Sequence, residues 1–325
     1  MKIYKSFELK ETRAGFGKAL TFLGEKNRRI VALCADLTNS LFMNEFSKKY
    51  PERFFQIGIA EANMIGIAAG LSIAEYIPFV GTFANFATSR VYDQIRQSIS
   101  YSNKNVKICA SHSGLTLGED GATHQSLEDI GLMKMLPGMT VINTCDYNQT
   151  YAATIAISVF SGPIYLRFGR PKVTNFTDKN QIFEIGKAIV LTEGKDVTIV
   201  STGHLVWEAL EASKLLYEKK GIESEVINIH TIKPLDESTI LKSINKTKCI
   251  VTAEEHNYFG GLGESIARIL TTNNCCIPQN FVAVNDTFGE SGKPLELLKK
   301  YNIDRNAIID NVNIVLERKE KIKKL

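Results

Sequence analysis

Short apolar runs rich in β-branched residues alternate with segments of helix length along the first half of the chain. Such runs predict strands that are covered on both faces, because a half-exposed strand would alternate apolar and polar residues. The last helix of this half begins after Asp146, a residue type that caps helix N-termini. The predicted strands are 30–33, 77–80, 106–109, 140–142 and 164–166, and the predicted helices are 11–26, 62–74, 84–101 and 147–160.

A polar, turn-rich stretch at 174–180 interrupts this pattern and predicts a linker. A second series follows, with predicted strands 197–200, 224–227, 249–251 and 281–284 and predicted helices 205–219, 236–244, 261–272 and 294–300. The length of 325 residues suits two domains. We therefore predict two consecutive α/β domains with mainly parallel sheets flanked by helices.

The composition of the chain indicates which partners and which cellular compartment to expect. The net charge of +4 arises from 39 basic and 35 acidic residues, and much of the surplus lies in the Lys-rich tail 317–324. No basic face interleaved with aromatic residues is evident, so nucleic acid is not an expected partner. Residues 1–8 lack the apolar core of a signal peptide, and no run approaches the ~20 apolar residues of a membrane span. The six cysteines form no Cys-x-x-Cys pair, which favours reduced thiols in a cytoplasmic protein.

A glycine-rich loop at 118–126, preceded by 111–114, carries the most concentrated site chemistry. His112, Asp120 and His124 offer donors and acceptors suited to a polyhydroxylated ligand. Their spacing of eight and four residues matches no tight metal-site pattern, so we predict no metal ligand in this chain. Any one of the histidines could be structural, but that explanation does not account for the cluster.

Two further segments leave alternatives open. Glu61, at the start of a predicted helix, is either a carboxyl held in apolar surroundings or an exposed residue favoured by the helix dipole. Phe83 and Phe86 are three residues apart and could form a ring-stacking platform, although ordinary core packing explains that spacing more often.

Other charged and glycine-rich positions are weaker candidates. Arg13, Arg167 and Arg170 could bind a phosphate, because guanidinium forms bidentate hydrogen bonds with it, but surface arginines are common. The glycines at 260–263 precede a helix and could receive an anion, although a plain turn is the simpler explanation. We interpret 254–256 as an interdomain or subunit contact.

In their order along the chain, several motifs resemble the C-terminal half of transketolase, the thiamine-diphosphate enzyme that moves two-carbon ketol units between sugar phosphates. The motifs are Thr12-Arg13, Ala35-Asp36-Leu37-Thr38-Asn39-Ser40, Gly58-Ile59-Ala60-Glu61, Gly81-Thr82-Phe83-Ala84-Asn85-Phe86 and the loop 118–125. The resemblance implies a pyrimidine-binding domain at 1–175, a linker at 176–185 and the family's C-terminal domain at 186–325.

The resemblance also implies roles for single residues. Glu61 matches the glutamate that hydrogen-bonds a ring nitrogen of the aminopyrimidine and promotes its imino tautomer. Phe83 and Phe86 match the aromatic residues against that ring, and Asp36 matches a polar residue near the cofactor. At Ser89 many transketolases carry a third aromatic residue, so the pyrimidine pocket is expected to close differently here.

Substrate contacts follow in the same way. His112, Asp120 and His124 match residues that bind the hydroxyls and carbonyl of the sugar, with proton transfer expected at the histidines. Arg13 and Ser40 match phosphate contacts. The second phosphate arginine is either Arg167 or Arg170, and we favour Arg170.

The sequence lacks the Gly-Asp-Gly motif with which full-length transketolases hold the metal and the diphosphate. The resemblance therefore implies a split transketolase, in which a separate N-terminal subunit supplies that site and holds most of the Mg²⁺ contacts. An α2β2 assembly is expected, and this chain alone should be inactive.

Three alternatives remain at this point. The β subunit of a 2-oxo-acid dehydrogenase has a similar length and an equivalent glutamate, but the loop 118–125 argues against it. Deoxyxylulose-phosphate synthase shares the loop, although it is normally one long chain. A non-catalytic partner-binding module would have no physical need for Glu61, the two phenylalanines and the loop cluster together.

Overall fold

A computed structural model describes residues 8–322 and Lys324. The segment 1–7, in which no signal core was found, lies outside the described residues, as do Lys323 of the Lys-rich tail and Leu325. The strands, in chain order, are β1 Leu9–Glu11, β2 Ile30–Cys34, β3 Phe54–Gln56, β4 Ile77–Phe83, β5 Lys107–Ser111, β6 Thr140–Asn143, β7 Ile164–Arg167, β8 Lys172–Thr174, β9 Ile189–Thr192, β10 Val197–Ser201, β11 Ser224–Asn228, β12 Thr231–Lys233, β13 Ile250–Asn257 and β14 Gln279–Val284.

The α-helices connect these strands and cover their faces. In chain order they are α1 Thr12–Lys26, α2 Asn44–Lys49, α3 Glu61–Ile73, α4 Ala84–Thr88, α5 Tyr92–Gln94, α6 Asp129–Met135, α7 Tyr147–Val159, α8 Leu205–Lys220, α9 Glu237–Thr247, α10 Leu262–Thr272, α11 Pro294–Lys300 and α12 Arg305–Ile322. Single turns of 3₁₀-helix lie at Pro51–Arg53 and Leu115–Leu117.

The first sheet has seven strands in the order β12-β6-β7-β5-β4-β2-β3, and every pair except β12 with β6 is parallel. Alternate residues of β2 face opposite cores, as the two-residue period of a strand requires. Val31 and Leu33 pack in the cluster that contains Met64 of α3, whereas Ile30 packs in the cluster that contains Phe16 of α1. Helices therefore cover both faces of this sheet.

The second sheet has the order β14-β13-β10-β11-β9, and only β9 runs antiparallel to its neighbour. The two mainly parallel sheets confirm the predicted fold class. The second half of the chain also contributes to the first sheet, because β12 forms its edge strand beside β6.

Most predicted elements are present, and the cap of α7 is among them. The Asp146 side chain accepts a hydrogen bond from the Gln149 N–H at 2.8 Å. Its second carboxylate oxygen accepts from the backbone N–H groups of Phe176 and Thr177, at 2.8 and 2.7 Å. This residue therefore caps the helix and also fixes the first residues of the predicted linker.

The predicted continuous helix over 84–101 is wrong. The segment divides into α4, a turn at 89–91, α5 and a π-helical stretch at Ile95–Tyr101. At the break, the Ser89 hydroxyl donates to the Asn85 carbonyl at 2.6 Å and contacts the Asn85 side-chain oxygen at 2.9 Å. Serine hydroxyls compete with the backbone for such carbonyls, which weakens a helix interior.

The C-terminal helix α12 is absent from the predictions, which treated the end of the chain only as a Lys-rich tail. Ala307, Ile308, Val312 and Val315 of this helix are buried against the second sheet and α8. The charged residues 317–322 continue the same helix beyond its buried part. Among the described residues, no helix is both long and apolar enough to cross a membrane.

A buried ion pair lies where the two domains meet. The Arg167 Nε donates to the Asp129 carboxylate at 2.7 Å, and the Tyr165 hydroxyl donates to the same oxygen at 2.6 Å. Arg167 Nη2 donates to the Glu255 carbonyl of β13 at 2.9 Å, so the guanidinium joins both domains. Burial opposes ionisation of Asp129, yet the adjacent Arg167 holds the pKa of that carboxyl below its ordinary value.

We predict that Arg167→Met lowers the free energy of unfolding by about 3–5 kcal/mol, because it leaves the Asp129 charge buried without its partner. Urea unfolding of the purified chain measures this loss. Arg170→Met is the control, since Arg170 is 35% exposed and pairs with an exposed glutamate, and it should change stability by less than ~1 kcal/mol. Equal losses in the two variants would contradict this account of Arg167.

We also predict that Gly15→Ala destabilises the contact between α1 and α7. A Cβ at Gly15 would lie 2.4 Å from the backbone oxygen of Tyr147, so the helices would have to separate, at a cost of about 1–3 kcal/mol. Gly66→Ala in α3 is the control, because no atom lies within 4 Å of its added Cβ. The urea midpoint of Gly66→Ala should equal or exceed that of wild type. A midpoint of Gly15→Ala as high as that of Gly66→Ala would contradict the close contact between α1 and α7.

Candidate active site

The candidate residues follow the carboxyl ends of neighbouring parallel strands. Asp36 follows β2, Glu61 follows β3, Phe83 ends β4, His112 follows β5 and Arg170 follows β7. Parallel strands place these ends at one edge of the sheet, which is where open α/β sheets bind ligands.

Glu61 begins α3 and is only 5% exposed, so the alternative of a solvent-exposed helix-start residue is wrong. The Arg90 Nη1 lies 3.6 Å from the Glu61 carboxylate. The Arg90 guanidinium also lies over the Phe86 ring, 4.1 Å from its centroid. Glu61 and Phe86 therefore border the same space.

Of the two phenylalanines, Phe83 fits the alternative of core packing and Phe86 fits that of a ring-stacking platform. Phe83 is buried in the hydrophobic core, while Phe86 in α4 is half-buried. Their rings are nearly parallel, with centroids 5.7 Å apart and an interplanar angle of 20°. Phe83 thus packs as a core residue and also supports Phe86, whose ring borders the space beside Glu61.

His112 lies beneath the loop and is 3% exposed. Its ring stacks on Phe83 with centroids 3.8 Å apart, and its Nδ1 lies 2.7 Å from the Ser111 hydroxyl. Burial, together with the positive charges of Arg13 and Arg170, lowers the pKa of His112 to about 2. The imidazole is therefore neutral near pH 7, so one ring nitrogen can donate a hydrogen bond and the other can accept one.

His124 extends the same cluster from the glycine-rich loop. It is half-buried, and its ring meets the Phe86 ring edge-on at 5.3 Å. Its Nδ1 lies 2.9 Å from the Thr123 hydroxyl, and the Thr123 carbonyl accepts from the Asn85 amide at 2.6 Å. The loop is thereby tied to α4, whereas Asp120 stands exposed on it.

Arg13 lies near the start of α1 and reaches the segment after β2. It donates to the Ser40 carbonyl and to the Glu11 carboxylate, each at 2.8 Å, and its guanidinium lies over the Phe42 ring. The structure therefore brings Arg13 and Ser40 together, through the Ser40 backbone.

The two arginines of the 166–170 segment have different surroundings. Arg167 is 2% exposed and is held in the buried ion pair with Asp129. Arg170 is 35% exposed and donates to the Leu117 carbonyl and the Glu119 carboxylate, each at 2.7 Å. Only Arg170 stands where a ligand could reach it.

Asp36 has a left-handed backbone, with φ at 57°, and its side chain is exposed. Its N–H donates to the Gln56 side chain at 2.7 Å, which links the ends of β2 and β3. In the described part of the chain, no three or more His, Cys, Asp or Glu side chains are arranged to hold a metal ion.

The weaker candidates lie outside this cluster. The N–H groups of Leu262 and Gly263, at the start of α10, donate to the Glu254 carboxylate at 2.6 and 2.8 Å. A carboxylate of the chain itself thus fills the anion position that the glycines at 260–263 offered. Glu255 and His256 contact Thr116 and Gly131 of the first domain, as expected for an interdomain contact.

Sequence reasoning missed Arg90 and Glu119. Arg90 stands four residues after Phe86, and on the continuous helix predicted over 84–101 this spacing would have placed the two side chains together. Glu119 lies within the predicted loop, yet its partner Arg170 is 51 residues away. Such pairings depend on how the strands pack.

Comparison with known proteins matches both halves of the chain to one family. The family model described as the transketolase pyrimidine binding domain matches residues 9–175, and that of the transketolase C-terminal domain matches residues 186–308. Together they cover most of the sequence.

Individual relatives agree with this match. A putative transketolase C-terminal section of Methanocaldococcus jannaschii is 42% identical over 93% of this chain and 95% of the relative. A 6-deoxy-6-sulfo-D-fructose transketolase subunit of Clostridium sp. is 43% identical over 91% of each chain. A solved structure described as a split gene transketolase, inactive beta4 tetramer, superimposes with a TM-score of 0.88 and 44% identity over 94% of this chain and 98% of that one. The chain therefore belongs to the transketolase family and corresponds to the section that combines the pyrimidine-binding and C-terminal domains.

Proposed function

We propose that this chain is the C-terminal subunit of a split, thiamine-diphosphate-dependent transketolase that moves a two-carbon ketol unit from a ketose phosphate to an aldose phosphate. The observation that carries the proposal is the position of the buried Glu61 carboxylate beside the Phe86 ring, at the strand edge that also carries Arg170. Two relatives of nearly the same length support a split enzyme, one described as a putative transketolase C-terminal section and the other as a transketolase subunit.

The chemistry of these side chains fits the aminopyrimidine end of thiamine diphosphate. A half-buried aromatic ring can stack on a flat heterocycle, and a carboxylate beside it can bond a ring nitrogen. Phe86 and Glu61 would fill these roles, and Asp36 would contribute a polar contact at the same edge. When bound, the cofactor supplies the electron sink needed to break a carbon–carbon bond next to a carbonyl.

The residues of the chain would do the binding and the proton work. Glu61 would share a proton with the pyrimidine nitrogen, a general acid–base role. His112, which is neutral near pH 7, would hydrogen-bond the substrate oxygen nearest the reacting carbon. His124 and Asp120, on the loop, would bind hydroxyls, and the exposed part of His124 could exchange protons with solvent.

Arg13, Ser40 and Arg170 would bind the anionic end of the sugar. Two arginines whose positive charges both reach His112 favour an anion in the same region. A phosphate is the proposed group, as in the pentose phosphate pathway. The sulfonated sugar named for the Clostridium relative is the second candidate, because sulfonate also bonds guanidinium.

The partner would be an N-terminal transketolase subunit that binds the diphosphate and holds most of the Mg²⁺ contacts. We propose an α2β2 assembly in which each site lies between subunits. We also propose a cytoplasmic location. Nucleic acid and membranes are not proposed partners.

Ketol transfer from xylulose 5-phosphate to ribose 5-phosphate, with thiamine diphosphate and Mg²⁺, tests this proposal. The chain is assayed alone and after mixing with the product of a neighbouring gene that encodes the diphosphate-binding half. Transfer only in the mixture supports the split enzyme. Should 6-deoxy-6-sulfofructose be the better donor, the family reaction would stand and the phosphate assignment would fall. Transfer by the isolated chain would contradict the proposal. A mixture that transfers a ketol unit from neither donor would contradict it as well.

We predict that Glu61→Gln lowers kcat of the mixed enzyme by about 10²- to 10⁴-fold, because the amide cannot share a proton with the pyrimidine. The control is Glu45→Gln, which removes another glutamate from the first turn of a helix, one that is 43% exposed. Calorimetric titration of the partner subunit into each variant should show that both variants still bind the partner. If Glu61→Gln turned over as fast as the control, the assigned role would be wrong.

We predict that Arg170→Met raises KM for a ketose phosphate by about 10- to 100-fold, because it removes a charge-assisted contact with the phosphate. A ketose donor without an anionic group should show no change in KM, and kcat should change little with either donor. Arg170→Lys should recover only part of the loss, because lysine cannot form the bidentate contact. Equal losses with charged and uncharged donors would argue against a phosphate contact.

A further inference from the structure

Glu255 belongs to the second domain, yet its side chain contacts the segment of the first domain that leads into the glycine-rich loop 118–126. It lies near the end of β13 and is 4% exposed. Its carboxylate accepts a hydrogen bond from the backbone N–H of Thr116, which lies in the 3₁₀ turn Leu115–Leu117. The Glu255 side chain thus crosses the domain boundary to hold the backbone of this segment.

The loop fits closely against this carboxylate. Gly114 has φ at 77°, and a Cβ there would lie 2.4 Å from the carboxyl carbon of Glu255. Leu115 and Leu117 on either side of Thr116 are fully buried. The turn therefore has little room to move while Glu255 is in place, and its removal would leave the Thr116 N–H buried without an acceptor.

The same turn supports the groups that face the substrate. Arg170 donates to the Leu117 carbonyl, one residue after Thr116. His112 lies two residues before Gly114, and its own φ is 59°, so its backbone tolerates few alternatives. A shift of the turn would therefore reach both Arg170 and His112.

Several charged or titratable groups face Glu255. Arg167 donates to its carbonyl and favours the ionised carboxylate, whereas Asp129 disfavours it. His204, at the start of α8, lies with its Nδ1 3.4 Å from the Thr116 hydroxyl, and burial lowers its pKa to about 4, so it is neutral near pH 7. Burial raises the pKa of Glu255 to about 7 despite Arg167.

We propose that Glu255 is a positioning residue of the substrate site, whose carboxylate fixes the Leu115–Leu117 turn; this turn accepts a hydrogen bond from Arg170 and follows closely after His112. The inference rests on the proposed function for its substrate. The contact between Glu255 and Thr116 does not depend on that function and can be tested by itself.

The test uses the mixed enzyme with Glu255→Ala and Glu255→Gln. Glu255→Ala should lower kcat/KM for the ketose phosphate by about 10- to 100-fold, as displaced substrate contacts do, mainly through KM, while the affinity for thiamine diphosphate stays unchanged. The control is Glu254→Gln, because Glu254 is equally buried but caps α10. Glu254→Gln can lower stability, but it should leave KM unchanged.

The pH profile separates positioning from a structural role. Below pH 7 Glu255 is protonated, and above it the ionised carboxylate forms the stronger, charge-assisted bond with Thr116. Wild-type kcat/KM should therefore rise through this range by more than that of Glu255→Gln, whose amide oxygen accepts the same N–H at every pH. At the acidic end of the range, kcat/KM of wild type and of Glu255→Gln should be nearly equal. Titration of the substrate phosphate affects kcat/KM of both enzymes equally, so it does not alter the comparison.

Hydrogen exchange tests the contact without turnover. The Thr116 amide should exchange faster in Glu255→Ala than in wild type, whereas Glu254→Gln should preserve its protection. Unchanged Thr116 protection, or a wild-type pH profile in Glu255→Gln, would overturn the inference. An active wild-type enzyme with either result refutes only the role of Glu255, whereas an inactive wild-type complex counts against the proposed function.

Discussion

The parallel pairing of β2, β4, β5 and β7 is the constraint on which the candidate site depends. Parallel strands end at one edge, so residues as distant in sequence as Glu61, which follows β3, and Arg170, which follows β7, lie along the same edge of the sheet. At this edge the chain leaves the regular strand conformation, because Asp36 and His112 both have positive φ values. Each turns the chain sharply just after its strand, and the strands themselves carry no site chemistry beyond Phe83.

A second requirement is that the two domains hold the loop between them. The first domain supplies the loop 112–125, but the groups behind it come from the second domain. Glu255 accepts from Thr116, and the Glu290 carbonyl accepts from the Gln125 amide at 3.0 Å. The buried pair of Arg167 and Asp129 fixes the interface at which these contacts form. This arrangement gives the C-terminal domain a physical role in the site even though it carries none of the residues assigned to the cofactor.

Much of the fold could be predicted because it is local in origin. The buried strands, the helices between them and the Asp146 cap follow from periodicity and from short-range hydrogen bonding. The helix predicted over 84–101 is interrupted by the turn at 89–91, where the Ser89 hydroxyl bonds the Asn85 carbonyl, and the apolar spacing of the segment does not show this turn. Helix α12 was missed because the end of the chain was interpreted from its charged residues alone. The apolar residues Ala307, Val312 and Val315 have the spacing of one helix face and are buried.

The site was predictable only in part. Residue types and motif order indicated Glu61, Phe86, His112 and Arg170 as candidates, and the structure gathers them at one edge. The contacts of Arg90 with Glu61 and of Glu255 with Thr116 could not be predicted, because each joins segments that meet only after packing. The choice between Arg167 and Arg170 likewise depends on burial, which two arginines three residues apart do not reveal in sequence.

The central claim is that this chain holds one end of the cofactor and needs a partner for the other. Calorimetric titration of thiamine diphosphate with Mg²⁺ into the chain alone, the partner alone and their mixture tests it most directly. The account predicts tight binding only in the mixture, with one cofactor for each pair of chains, and loss of that binding when Phe86 and Glu61 are both replaced by alanine. Equally tight binding by the isolated chain would contradict it.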